Sequence, residues 1–149
     1  MMTPQHIAAV RRSFTRIAGR HGQVADMFRV NLIRIDPSLT LLFKDDPEGH
    51  HLMQTFAAVV ALLNKPEFLS PSLRRLGRRM GPRVHAAQVC NFGRAVMDTL
   101  AQALGRRWDA ETEGAWTAMY AMVSMTVIGA LVEVAAEVEA TATREAVAA

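Results

Sequence analysis

The sequence predicts an all-α chain. Apolar residues recur at spacings of three and four along almost every segment, no segment alternates apolar and polar residues as a half-buried strand does, and prolines and glycines fall between the periodic runs. A length of 149 residues suits one domain with a single core. Half the residues are hydrophobic, and nine Gly with six Pro are too few for a low-complexity or disordered chain.

The elements follow in order. Thr3-Pro4 is an N-cap with a first-turn proline, and Ile7, Val10, Phe14 and Ile17 then mark one helix face as far as the Gly19 to Gly22 region. A second helix runs from about Val24 to Ile35, carrying Met27, Phe28, Leu32 and Ile35. Asp36-Pro37-Ser38 breaks it ahead of a short apolar turn, Leu39 to Phe43, and a loop from Lys44 to Gly49. From about Glu48 to Leu63, residues Leu52, Phe56, Val59, Val60 and Leu63 again repeat with a helical period. Pro66 and then Ser70-Pro71 mark a stop and a fresh start, after which Leu73, Leu76 and Met80 line a short helix ended by Gly81-Pro82. Val89, Phe92, Val96, Leu100 and Leu104 define a long helix. Asp109 is placed to cap the last one, which contains Trp116, Tyr120, Val123, Val127, Leu131 and Val134. Residues 1–140 form the expected domain, and the Ala/Thr-rich stretch 141–149 reads as a tail.

Composition narrows the functional classes. The single Cys90 excludes an internal disulfide and a cysteine-built zinc site, and the opening Met-Met-Thr-Pro-Gln-His lacks a basic-then-apolar leader, so a cytoplasmic location is expected. Residues Ala115 to Val132 carry no charge, the minimum signature of a membrane span. Their richness in Ala, Met, Ser and Thr instead favours a central bundle helix, and no span is expected. The net charge is +3, yet 15 of the 17 basic residues are arginine, and Arg74, Arg75, Arg78, Arg79 and Arg83 crowd one short stretch. That patch suits a solvated helix face or an anionic surface, either an acidic protein partner or a phospholipid surface. No aromatic residues interleave with the arginines, so nucleic acid is not expected. Glu48, His50, His51 and His85 lack metal-site spacing, since adjacent histidines on a helix diverge by roughly a hundred degrees. There is no phosphate-binding glycine loop or nucleophile elbow, and the chain is not expected to be an enzyme.

A set of ordered fragments carries a further signal: Met27-Phe28; Asp36-Pro37-Ser38-Leu39 followed by Leu42-Phe43-Lys44; His51-Leu52-Met53; Leu76-Gly77-Arg78-Arg79; and Ala115-Trp116 with Tyr120. In order and spacing they resemble the globins, and most closely bacterial single-domain haemoglobins and the globin domain of flavohaemoglobins. The resemblance implies six to eight helices crossing around a haem-type pocket, with Phe43, Leu52 and Val84 packing on haem b and Arg79 near a propionate. It also implies a histidine directly after the stretch Leu76 to Arg79, where this chain has Met80.

The departures continue around the implied pocket. Where the family orients its proximal histidine with a tyrosine and a glutamate, this chain has Val89 and Leu131. Where the family stabilises oxygen with a tyrosine and a glutamine, it has Arg29 and, nearby, Glu48, which are expected either to pair across the pocket or to reach water. Two expectations follow. In the first, haem is held by Met80, with His51 as the candidate second ligand, for ligand binding of a diatomic gas, redox sensing or electron transfer, with oxygen transport disfavoured. In the second, the globin-like fold has lost haem, the methionines fill the slot, and the protein regulates or interacts through its surface or through another small apolar ligand.

Overall fold

The computed structural model describes residues 2–148, all of its regular structure is helical, and the described residues contain no strand. Helix α1, Pro4–Ile17, starts where Thr3 accepts the His6 N–H through its hydroxyl at 3.1 Å, while the His6 ring nitrogen accepts the Thr3 N–H at 3.2 Å. That reciprocal pair satisfies the Thr3 and His6 donors, and Pro4 has no N–H to satisfy. Ala9, Val10, Ser13 and Ile17 form its buried face.

A 3-10 turn over Ala18–Arg20 leads into α2, His21–Ile35, which buries Val24, Ala25, Phe28, Asn31 and Leu32. Asp36 terminates α2 and caps the next element, a 3-10 helix over Pro37–Phe43, by accepting the Ser38 N–H at 3.1 Å. Gly49 then takes a left-handed conformation, φ +73°, which turns the chain into α3, His50–Ala61.

Helix α4, Pro66–Met80, is continuous. The fresh start expected at Ser70-Pro71 does not occur, because Pro71 stands in the second turn and removes one backbone hydrogen bond without stopping the helix. Helix α5, Ala86–Leu104, and a 3-10 turn, Gly105–Arg107, precede α6, Ala110–Ala148. Asp109 caps α6 as expected, accepting the Thr112 N–H at 2.8 Å. At 39 residues α6 spans about 58 Å, and it takes up the stretch expected as a tail as far as Ala148. Alanine is the strongest helix former, so an Ala-rich sequence extends a helix already nucleated by packing.

The core lies where α1, α2, α5 and α6 meet, with Val10, Ile17, Leu32 and Trp116 its largest fully enclosed side chains. Burial of each contributes about 1.5–3 kcal/mol. Polar ties fix the helices against one another at this depth. The Trp116 indole N–H donates to Ser13 Oγ at 2.8 Å, joining α6 to α1, and Asn31 donates to Thr99 Oγ1 at 3.0 Å, joining α2 to α5. Two arginines close helix C-termini: Arg11 donates to the Ala61 carbonyl at 3.1 Å, and Arg20 to the Ala103 carbonyl at 2.8 Å.

Helix α4 docks directly on α6, and Gly77 allows it. A methyl group at Gly77 would lie 2.7 Å from the Ala130 side chain and 2.9 Å from the Val127 carbonyl oxygen. Two residues with no side chain or a small one therefore set the distance between the helices.

Candidate functional site

The residues singled out from the sequence were expected to converge on one haem-type pocket. Phe43 and Val84 are buried members of the core, and Leu52 and Met80 are half-buried and packed against it. Met80 closes α4, and the Gly81-Pro82 break follows directly.

The charged and metal-ligating candidates do not join them. His51 is exposed on the first turn of α3, and Arg79 and His85 are exposed as well. Arg29 pairs with Asp26 one turn earlier on its own helix at 3.5 Å, and Glu48 faces His50 at 3.2 Å. The Arg29 to Glu48 pair across the interior is not formed, since each group finds a nearer partner at the surface. Arg29 Nε is the one buried side-chain polar atom among the described residues without a hydrogen-bond partner. No group of three or more His, Cys, Asp or Glu among the described residues is placed to hold a metal ion.

An aromatic cluster that sequence reasoning did not assemble joins buried Phe28 and Phe43 to half-buried Phe56 and Phe92. The Phe28 ring meets those of Phe43, Phe56 and Phe92 edge-on, at centroid distances of 6.5, 6.1 and 5.0 Å. Phe56 from α3 and Phe92 from α5 stack nearly parallel at 6.2 Å. Such pairs add about 0.5–1.5 kcal/mol each beyond the area they bury. Beside this cluster lies a cavity of about 30 Å³, bordered by Phe14, Ile17, Val96, Leu100 and Trp116 and almost wholly apolar.

The arginine patch is partly neutralised from within. Arg74 donates to both carboxylate oxygens of Glu133, at 3.1 and 2.9 Å, and Arg78 does the same to Glu137, at 3.2 and 2.9 Å. The signal for this was present in the sequence as two matched i, i+4 pairs, arginines on one helix and glutamates on another. The Arg78 guanidinium, by hydrogen bond and by charge, holds the Glu137 carboxyl below its ordinary value. Arg75, Arg79 and Arg83 remain exposed. An open groove of about 580 Å³ runs past Ser70, Arg74, Arg75 and Arg78.

No family model matches this chain, and no curated protein matches it.

Proposed function

We propose that this chain is a globin-like helical domain that works without haem, as a regulatory or interaction protein acting through its surface. The order of elements supports the globin reading: a 3-10 helix ending on Phe43 after α2, an α4 ending on Met80, and then the two longest helices. The observation that carries the haem-free reading is the mutual packing of buried Phe28 and Phe43 with half-buried Phe56 and Phe92. Sites for drug-sized or cofactor-sized ligands occupy roughly 300–1,000 Å³. The apolar cavity here is about 30 Å³ and partly open, room for a diatomic gas or a similarly small apolar guest.

Tested against haem, the residues as packed do not fit the group. Thioether sulfur is an established iron ligand, but Met80 is packed on the core while His51 stands in solvent, so no pair of axial donors faces one space.

Haem ligated by Met80 is the second reading. It is favoured by one fact, that Met80 rests on the same core as Phe43, Leu52 and Val84. It requires α4 to move outward as a unit, between the breaks at Lys65-Pro66 and Gly81-Pro82.

Purification from haem-replete cells tests the choice. The expected protein is colourless and folded, has no Soret band, and gains no thermal stability from added hemin. A red protein with stoichiometric iron would overturn the proposal, and loss of its spectrum in Met80→Ala would establish the second reading.

A further inference from the structure

We infer that α6 is a self-association surface on which a second copy of this chain docks antiparallel. The inference does not depend on whether haem binds. Only 17% of the most apolar 18-residue stretch of α6 is buried, although the helix is long and apolar enough to cross a membrane. Its inner face is committed to the core through Thr112, Ala115, Trp116, Met119, Val127, Ala130 and Leu131. The outer face is what remains uncovered.

That outer face has the spacing of a helix-pairing seam. Ala118, Ala121, Met125, Ile128, Val132 and Ala135 follow one another at intervals of three and four, the heptad pattern that keeps one stripe facing a partner helix; Ala121, Met125, Val132 and Ala135 are exposed, while Ala118 and Ile128 are half-buried, Ile128 with one edge on the core. Met125 is 77% exposed and Val132 57%, large values for apolar side chains on a folded surface. Beyond the seam, residues 135–148 are helical yet exposed throughout, an extension that is marginal for an unsupported helix of that length.

Charge selects the occupant and its direction. The segment from Glu133 onward holds four glutamates and one arginine, whereas the rest of the chain is basic. With Glu133 and Glu137 already paired to Arg74 and Arg78, the charges left on the extension are Glu139, Arg144 and Glu145, a net acidic set that gives no attraction to an anionic bilayer surface. Transfer of α6 into a membrane is opposed by the hydrogen bond that Trp116 makes to Ser13 in the core.

Antiparallel pairing about the point between Met125 and Ile128 sets Met125 against the partner's Ile128, Val132 against the partner's Ala121 and Ala135 against the partner's Ala118. In that register Glu145 comes level with the exposed Arg106 and Arg107 of the other copy, and Arg144 with its Asp109. Parallel pairing would instead set Glu139 against itself. The stripe from Ala118 to Ala135 is about 26 Å long, and the charged groups at its two ends lengthen the contact on both sides.

Sedimentation velocity on the full chain is the test, with circular dichroism as the control for folding. The wild type is expected at twice the monomer mass. Met125→Glu combined with Val132→Glu is expected to halve that mass while helicity is retained, since both side chains are exposed. In a Cys90→Ser background, copies carrying Ala118→Cys should crosslink to copies carrying Ala135→Cys. A wild type that stays monomeric up to high micromolar concentration would overturn the inference. So would a double variant that is still dimeric, an Ala118→Cys chain that crosslinks only to itself, or a monomer that floats with phosphatidylglycerol vesicles.

Discussion

The ring of Tyr120 occupies the space that a side chain at Gly93 would need. A Cβ built on Gly93 would lie 2.7 Å from the Tyr120 Cζ atom, and the Tyr120 hydroxyl donates to the Val89 carbonyl at the start of α5. This contact joins α5 to α6 beside the aromatic cluster, and burial pushes the phenol pKa up. Gly93→Ala is therefore expected to destabilise the fold by about 1–3 kcal/mol, the usual cost of overpacking. Tyr120→Phe, which keeps the ring and loses the hydrogen bond, should cost about 0.5–1.5 kcal/mol. Urea denaturation measures both, and an unchanged midpoint for Gly93→Ala would show that the ring is not held in place.

Ser13 and Trp116 make a second prediction. The Ser13 hydroxyl accepts the indole N–H and turns its own hydrogen toward the Ala9 or Val10 carbonyl, at 2.8 and 2.9 Å. Ser13→Ala would leave the indole donor enclosed without a partner, at a cost of about 1–3 kcal/mol. Ser13→Thr keeps the hydroxyl and is expected to lose less. Equal losses in the two variants, measured by tryptophan fluorescence during unfolding, would assign the effect to packing and not to the hydrogen bond.

Acid should loosen the α4 to α6 contact. Glu137 is held below its ordinary value of 4.5 by Arg78, and Asp36 below 3.8 by Ser38 and Asn91. A carboxyl lowered in the folded state adds stability that is complete above its ordinary value and is lost as pH falls through the lowered one. The unfolding midpoint is thus expected to be level near neutrality and to fall below about pH 4.5, with amide exchange in α4 rising in the same interval. Glu137→Gln should flatten that part of the profile and leave the neutral-pH midpoint nearly unchanged, as befits an exposed pair. A profile identical to wild type would detach Glu137 from the acid response.

The helices were visible in the sequence because their apolar period and their caps agree: Thr3-Pro4 opens α1, Asp36-Pro37 closes α2, and Asp109 opens α6, as expected. Ser70-Pro71 misled because a proline in the second turn removes one bond, whereas a stop needs the packing to end as well, and Leu69 and Leu73 stay buried on either side. The stretch 141–149 lacks an apolar face, so periodicity could not mark it as helix, although its alanines extend α6 to Ala148. Phe43, Leu52 and Met80 pack on the core from apolar helix faces, and Val84 from the connection that follows Met80. Arg29 and Glu48 were not brought together, because partners local in sequence, Asp26 and His50, engage each first. The Phe56 to Phe92 stack is a contact between distant helices, and no spacing within either helix encodes it.

Gly77 offers the sharpest separation of packing from charge at the α4 to α6 contact. Its missing side chain lets the α6 backbone approach at Val127 and Ala130, while Arg74 and Arg78 reach over the same crossing to Glu133 and Glu137. If close approach holds α4 in place, Gly77→Ala should destabilise by about 1–3 kcal/mol, even though alanine is the better helix former by about 1 kcal/mol in isolation. Arg74→Ala, which removes an exposed pair, should cost under about 1 kcal/mol and lose its effect at high salt. Thermal unfolding at low and high salt distinguishes the two contributions. A Gly77→Ala protein more stable than wild type would mean that α4 sits farther from α6 in solution, and that the ion pairs, not the backbone contact, keep Met80 against the core.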